Sequence, residues 1–207
     1  MAEQRQALPL VIKAGGSLAE TGRLARLLSL IAAAKRPVVV VPGGGAFADN
    51  VRERQQALGF DDATAHRQAM RAMHQMADVF VTLCDRLRVT DTVEGIGGVL
   101  RSGQIPVWVP LPTLDGDASI PADWSITSDG IAARLAELLG GAPLVLLKSV
   151  DVDANASAQR LAEAGVIDTA FPGIGARAGL DWRIFGAASD AALAALLAEA
   201  PNDAAKS

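Results

Sequence analysis

Apolar residues are spaced in two ways along this chain. In some stretches they run almost unbroken: "LPLVIK" from Leu8, "PVVVVP" from Pro37, "IPVWVPLP" from Ile105, "APLVLLKSV" from Ala142 and "LDWRIFG" from Leu180. Short runs rich in Val, Leu and Ile and bounded by Gly or Pro predict strands, and their lack of alternation predicts burial on both faces, as in a parallel sheet. Elsewhere apolar positions recur every three or four residues, which predicts helices. These cover Arg23–Ala34, Phe47–Leu58 and Thr64–Leu87, then "EGIGGVLRSGQ", "SITSDGIAARLAELLGG", one short helix after a polar segment, and Ala188–Glu199. The longest places Ala69, Met73, Met76, Phe80, Cys84 and Leu87 on one face, and its methionines read as core filler. Ser17 and the start of "SITSDGIAA" are expected to cap helices, and "GDASIPADW" to form a loop.

Strands alternating with helices imply βαβ units, a mostly parallel sheet, right-handed crossovers and helices on both faces. Ligands then belong beyond the carboxyl ends of the strands. The conspicuous residues fall there: Lys13–Ser17 after the first strand, Gly43–Gly45 after the second, and Lys148–Asp153 after the fourth. One domain over residues 1–207 is expected, with lobes of about 8–110 and 111–200, and the closing "PNDAAKS" is expected to fray.

Composition narrows the setting. The chain has 207 residues, half of them hydrophobic, a net charge of −4, no tyrosine and one cysteine, Cys84. No apolar run is long enough to span a bilayer, and the N-terminus lacks a basic segment followed by a long apolar core. A cytoplasmic protein is expected, without an intrachain disulfide, a cysteine-built metal site or a membrane partner. The acidic balance and the scattered Trp108, Trp124 and Trp182 argue against nucleic acid.

Three glycine-bearing turns at one sheet edge suggest phosphate, because amides at a helix start form an anion site where no Cβ intervenes. "PGGGAFADN" is neither a P-loop nor a G-x-G-x-x-G turn. Taken alone, the triplet is equally well explained as a tight structural turn. A valine at Gly44 separates these readings: it is expected to block phosphate and remove activity in the first, and to lower melting temperature in the second.

"IKAGGSL", "VVPGGGAFADNVR", "ITSDGIAARLA" and "LVLLKSVD", in this order between about Leu8 and Asp153, resemble the amino acid kinase superfamily. The resemblance implies a three-layer αβα sandwich around a mostly parallel sheet, ATP as phosphoryl donor with Mg2+, and a homo-oligomer. By the same resemblance, Lys13 contacts the phosphoryl group in flight, and Gly15, Gly16 and Ser17 lie along the ATP phosphates. The amides of Gly43, Gly44 and Gly45 face the acceptor, Asp129 orients the catalytic lysines, and Lys148, Ser149, Asp151 and Asp153 flank the nucleotide. Such roles suit phosphoryl transfer, which needs in-line positioning and positive charge on the equatorial oxygens.

Many family members carry a second lysine after the fourth strand, but here no lysine stands between Lys148 and Lys206. Lys148, at a position often threonine in relatives, is expected to supply that charge, ahead of Arg177. "DDATAHRQAMRAMHQMADVF" and the "IDTAFP…ARAGL" ending resemble a smaller group tied to methanofuran- and methylofuran-type cofactor synthesis. Its kinase converts an aminomethylfuran-methyl phosphate to the diphosphate. His66, with Arg52 or Arg67, is then expected to hold the acceptor phosphate, and Asp49 or Asp62 its amine. His66 and His74, eight positions apart on one helix, are too far apart to share a zinc ion, and no metal site is expected. A uridylate or isopentenyl phosphate kinase-like activity is the alternative, as is a non-catalytic nucleotide- or oxyanion-binding protein of this fold.

Overall fold

The structure is a computed structural model describing residues 8–153 and 155–199; the N-terminal stretch read for a signal, and "PNDAAKS" with Lys206, lie outside the described residues. The elements are β1 (Leu10–Ala14), α1 (Ser17–Glu20), α2 (Leu24–Ala32), β2 (Val38–Pro42), α3 (Gly45–Leu58), α4 (Asp62–Leu83), β3 (Leu87–Thr90), α5 (Val93–Arg101), β4 (Ile105–Trp108), α6 (Leu111–Leu114), α7 (Ser128–Leu138), β5 (Leu144–Leu147), α8 (Ala158–Glu163), α9 (Phe171–Ala178), β6 (Trp182–Phe185) and α10 (Asp190–Ala198). The six strands form one sheet in the order β3-β4-β2-β1-β5-β6, and each registered pair is parallel.

Side-chain parity divides the core into two layers, because successive strand residues point to opposite faces. Leu10, Ile12, Val38, Val40, Val145 and Leu147 pack against α2, the end of α4 and α10. Val11, Val39, Val41, Leu144 and Leu146 pack on the other face against the middle of α4, α5, α7 and α9. Lys13 and Lys148 have the parity of the second set, which carries both lysines to the α7 side of the sheet.

The long valine and leucine runs form the strands their pattern predicts. An additional strand, β3, occupies the sheet edge. The Thr64–Leu87 helix ends at Leu83, Cys84 is extended, and Leu87 opens β3. Leu87 keeps the helical spacing by coincidence and is buried through the sheet instead. Two helices, α8 and α9, stand where one was expected, and α1 and α6 are single turns beyond the predicted set. Ser17 does not cap the helix over Arg23–Ala34: it opens α1, and Arg23 holds the cap position of α2 with no side-chain bond. Thr127 makes no side-chain cap on α7 either. No helix among the described residues is long and apolar enough to cross a membrane.

Candidate active site

β1 and β2 lie side by side, so the turns that leave them are neighbours, and glycine lets them touch. A Cβ on Gly16 would sit 2.1 Å from Gly45 Cα and 2.2 Å from Gly45 N, while Gly45 itself has φ = +53°. One on Gly43 would stand 2.7 Å from Gly16 N. Close backbone approach is therefore one reason for the glycines. Gly44 is also hemmed in by structure: its Cβ would meet Ala48 Cβ at 2.6 Å and Ala72 Cβ at 3.3 Å, inside the α3–α4 packing. A valine at Gly44 would therefore strain this packing in addition to crowding the cavity that Gly44 lines.

The amides divide unequally. Gly43 N–H donates to Ala14 O at 2.7 Å, so it is already engaged and does not match the expectation that all three triplet amides face a ligand. The N–H groups of Gly15, Gly16, Gly44 and Gly45 find no backbone acceptor among the described residues. Unpaired amides of this kind at the edge of a cavity suit an anion.

Next to these turns lies an ionic cluster. Lys13, from the end of β1, and Asp129, from the first turn of α7, are buried. Lys13 Nζ is 3.0 Å from Asp129 Oδ1, and Lys148 Nζ donates to Asp129 Oδ2 at 2.6 Å. Burial would push the Asp129 carboxyl up, but Lys13 and Lys148 together hold it below the usual carboxylate range. Burial and the Lys13 charge pull the Lys148 ammonium below its ordinary value, against the attraction of Asp129. Two ammonium groups meet at one carboxylate, a tight cluster in a low-dielectric place. Gly15 makes room for it, since a Cβ there would come within 3.2 Å of Lys13 Nζ. Arg177 does not join this cluster; it donates to Glu137 at 2.8 and 2.7 Å and to Ser119 O.

A cavity of about 260 Å³ opens beside the cluster, floored by Lys13 and the two glycine turns and walled by Arg52, His66, Met70, Met73, Trp124 and Ile126. His66 is buried, and burial pulls its imidazole down, with Asp123 and Asp115 opposing. The Arg52 guanidinium lies 4.3 Å from the Trp124 ring centroid, a cation–π contact. Trp124 Nε1 donates to Gln55 Oε1 at 2.6 Å.

Several expected groups stand elsewhere. Arg67 is not among the cavity residues; it pairs with Asp115 at 2.9 Å, since successive helix positions point about 100° apart. Asp49 lines the cavity and sits 3.6 Å from Arg52, whereas Asp62 accepts from Gln55 Nε2 outside it. Ser149 Oγ donates to Ser17 Oγ at 3.1 Å, joining the β5 end to the first glycine turn. Asp151 accepts from Ala188 N, and Asp153 from Asn155 N. His74 Nε2 accepts from Leu111 N, well along α4 from His66. Among the described residues no three His, Cys, Asp or Glu side chains gather as a metal site. Trp124, in the "GDASIPADW" loop, and Asp168, in "IDTAFP", received no role from the sequence because neither adjoins a strand end or a glycine turn.

A protein-family model described as "Amino acid kinase family" matches residues 9–89. A curated relative, the [5-(aminomethyl)furan-3-yl]methyl phosphate kinase of Methanocaldococcus jannaschii, is 25% identical over 143 residues, covering 68% of this chain and 66% of the relative, just under two thirds of its length. The crystal structure of uridylate kinase from Archaeoglobus fulgidus superposes with a TM-score of 0.66 at 19% identity, covering 89% of this chain and 94% of that one. UMP kinase from Bacillus anthracis gives 0.65 at 13% identity, with 97% and 98% covered. A structure of isopentenyl phosphate kinase gives 0.58 at 17%, with 91% and 95% covered. These likenesses establish the fold: a three-layer αβα sandwich of amino acid kinase type.

Proposed function

From an amino acid kinase fold and a family match through residues 9–89, we propose that the chain is an ATP-dependent phosphotransferase whose acceptor already carries a phosphate. The observation that supports this most directly is the buried Lys13–Asp129–Lys148 cluster set between two glycine turns and a cavity. An acceptor phosphate oxygen attacks the γ-phosphorus of ATP, the bond to the β,γ-bridging oxygen breaks, and ADP leaves with that electron pair. A phosphate oxygen is already anionic, so the site needs no general base. It needs positive charge on the three equatorial oxygens, and Lys13 and Lys148 supply it, oriented by Asp129.

The division of labour follows the sheet. Residues of about 8–110 form an acceptor-side lobe, with Gly44, Gly45, Arg52 and His66 facing the acceptor and Gly43 tying their turn to β1. Residues of about 111–200 form a nucleotide-side lobe, in which Lys148, Ser149, Asp151 and Asp153 border ATP beside Gly15, Gly16 and Ser17. Magnesium accompanying ATP neutralises charge on its phosphates. Among the described residues no three His, Cys, Asp or Glu side chains gather to hold it, and Asp129 is engaged by two lysines. The working assembly is a homo-oligomer in the cytoplasm.

The acceptor we favour is [5-(aminomethyl)furan-3-yl]methyl phosphate, giving the diphosphate. The named relative and a small cavity combining an aromatic wall, Arg52 and His66 support it, with Asp49 available to the amine. ADP release measured with this phosphate, uridylate, isopentenyl phosphate and the unphosphorylated furan alcohol, with product mass determined, tests both levels. Fast turnover of the furan phosphate alone is expected. Turnover of uridylate or isopentenyl phosphate instead would overturn the acceptor, and ATP binding without transfer to any of them would overturn the kinase reading.

A further inference from the structure

Asp168, in the "IDTAFP" stretch, belongs to no strand or helix, yet its carboxylate is the most heavily bonded acidic group near the cluster. Oδ2 accepts from Thr127 N and from Gly130 N, each at 2.7 Å, and Oδ1 accepts from the Thr127 hydroxyl. All three donors flank Asp129, and two are backbone amides at the start of α7. Thr127 occupies the cap position of that helix but makes no cap of its own; Asp168, about 40 residues downstream, satisfies those amides instead. Glycine at position 130 fits this arrangement, since a Cβ there would stand 3.2 Å from Asp168 Oδ2 and 2.6 Å from Ile126 Cγ1. A carboxylate gripping three donors around one turn fixes that turn in both position and rotation.

We propose that Asp168 is a positioning residue for phosphoryl transfer, clamping the first turn of α7 so that Asp129 reaches Lys13 and Lys148 together. The inference rests on the kinase reading above. Asp129 bridges lysines from two different strand ends with contacts of 3.0 and 2.6 Å, and a rotation of the α7 turn would lengthen one as it shortened the other. Asp168 also acts through its charge. Together with Asp129 it offsets Lys13 and Lys148, and its field favours the charged form of Lys148. Burial, with Asp129 second, pushes its own carboxyl above the usual range, and the three donors oppose that rise.

The chain has only four lysines, Lys13, Lys35, Lys148 and Lys206, so their side-chain NMR signals can be followed individually after assignment with single variants. In D168N the new amide turns an NH2 toward donors; T127V removes one donor, and T127S keeps it. D168N is expected to fold, to lose at least tenfold in kcat with KM for ATP and acceptor within threefold of wild type, and to titrate Lys148 at a lower pH. T127V should fall part of the way and T127S should match wild type. Wild-type kcat in D168N with an unmoved Lys148 signal would overturn the proposal. So would a lower melting temperature with normal kcat in the folded fraction, which marks a purely structural cap. If D168N fails to fold, T127V against T127S decides by the same measurements. If the wild-type chain phosphorylates none of the acceptors, the kinase reading fails, and the Lys148 titration still reports whether Asp168 governs the cluster.

Discussion

Replacing Gly16 with alanine is the sharpest test of why glycine occupies both turns. The added Cβ would fall 2.1 Å from Gly45 Cα and 3.1 Å from Gly44 C, all backbone atoms that cannot rotate away. Relief to an ordinary contact near 3.4 Å requires the two turns to part by about 1.3 Å. Overpacking of this kind costs about 1–3 kcal/mol, which in a chain of this size lowers Tm by roughly 2–12 °C at ~2–4 °C per kcal/mol. Because the same turns carry the unpaired amides and Lys13, a displacement of about 1 Å should also reduce kcat by roughly 100-fold. Thermal unfolding monitored by circular dichroism and ADP release at 20 °C measure the two effects separately. Gly173→Ala is the control, since a Cβ there meets nothing within 4 Å. Gly16→Ala with Tm and kcat both indistinguishable from the control would refute the close-contact argument.

Lys148→Met should lower kcat by about 10²–10³-fold, in line with loss of one charge that stabilises the transition state, and should also lower Tm, because buried Asp129 loses one of its two partners; steady-state kinetics on the folded fraction beside a melt separate the two. Trp124→Ala should raise acceptor KM by roughly 2–10-fold, the worth of one aromatic contact, with KM for ATP unmoved, whereas Arg67→Ala should leave both constants alone. His66 has a folded pKa below its unfolded value, so below about pH 6.5 the unfolded chain binds the extra proton and stability falls with pH; His66→Gln should flatten that part of a urea-denaturation series. Glu137, lowered to about 2 mainly by its bonds to Arg177, contributes stability above its unfolded value near 4.5 that is lost as pH falls toward 2. Glu137→Gln should therefore cost on the order of 1 kcal/mol at neutral pH, since Arg177 is half exposed and solvent screens the pair, and progressively less as pH falls from 4.5 through about 2.

Local pattern revealed the parts of the molecule whose burial is uniform. β1, β2 and β5 are shielded on both faces, so their apolar runs are uninterrupted and unmistakable. β3 has one buried residue in four, as an edge strand can, and Leu87 continues the spacing of α4, so nothing local marks the change of geometry. The lysines, the glycine turns and Asp129 were legible because each adjoins a strand end or a helix start, where topology dictates a shared edge. Arg67 misled because adjacency to His66 in sequence puts it on a different side of α4. Trp124 and Asp168 act from loops, and where a loop lies is decided by packing far from its own sequence.

The central place of β1 also governs how the molecule is assembled. Its partner on one side, β2, follows closely in the chain, but on the other side Lys13 lies opposite Leu146 of β5. Pairing across so much intervening chain carries a large loop-closure cost and slows folding. Until β5 arrives, β1 presents an open, strongly apolar edge, the kind of surface through which nascent chains pair with one another. Lys13 interrupts that edge with a charge whose counter-ion, Asp129, also comes from the later half of the chain. The same lysine becomes a buried ion only when the second half of the sheet closes over it.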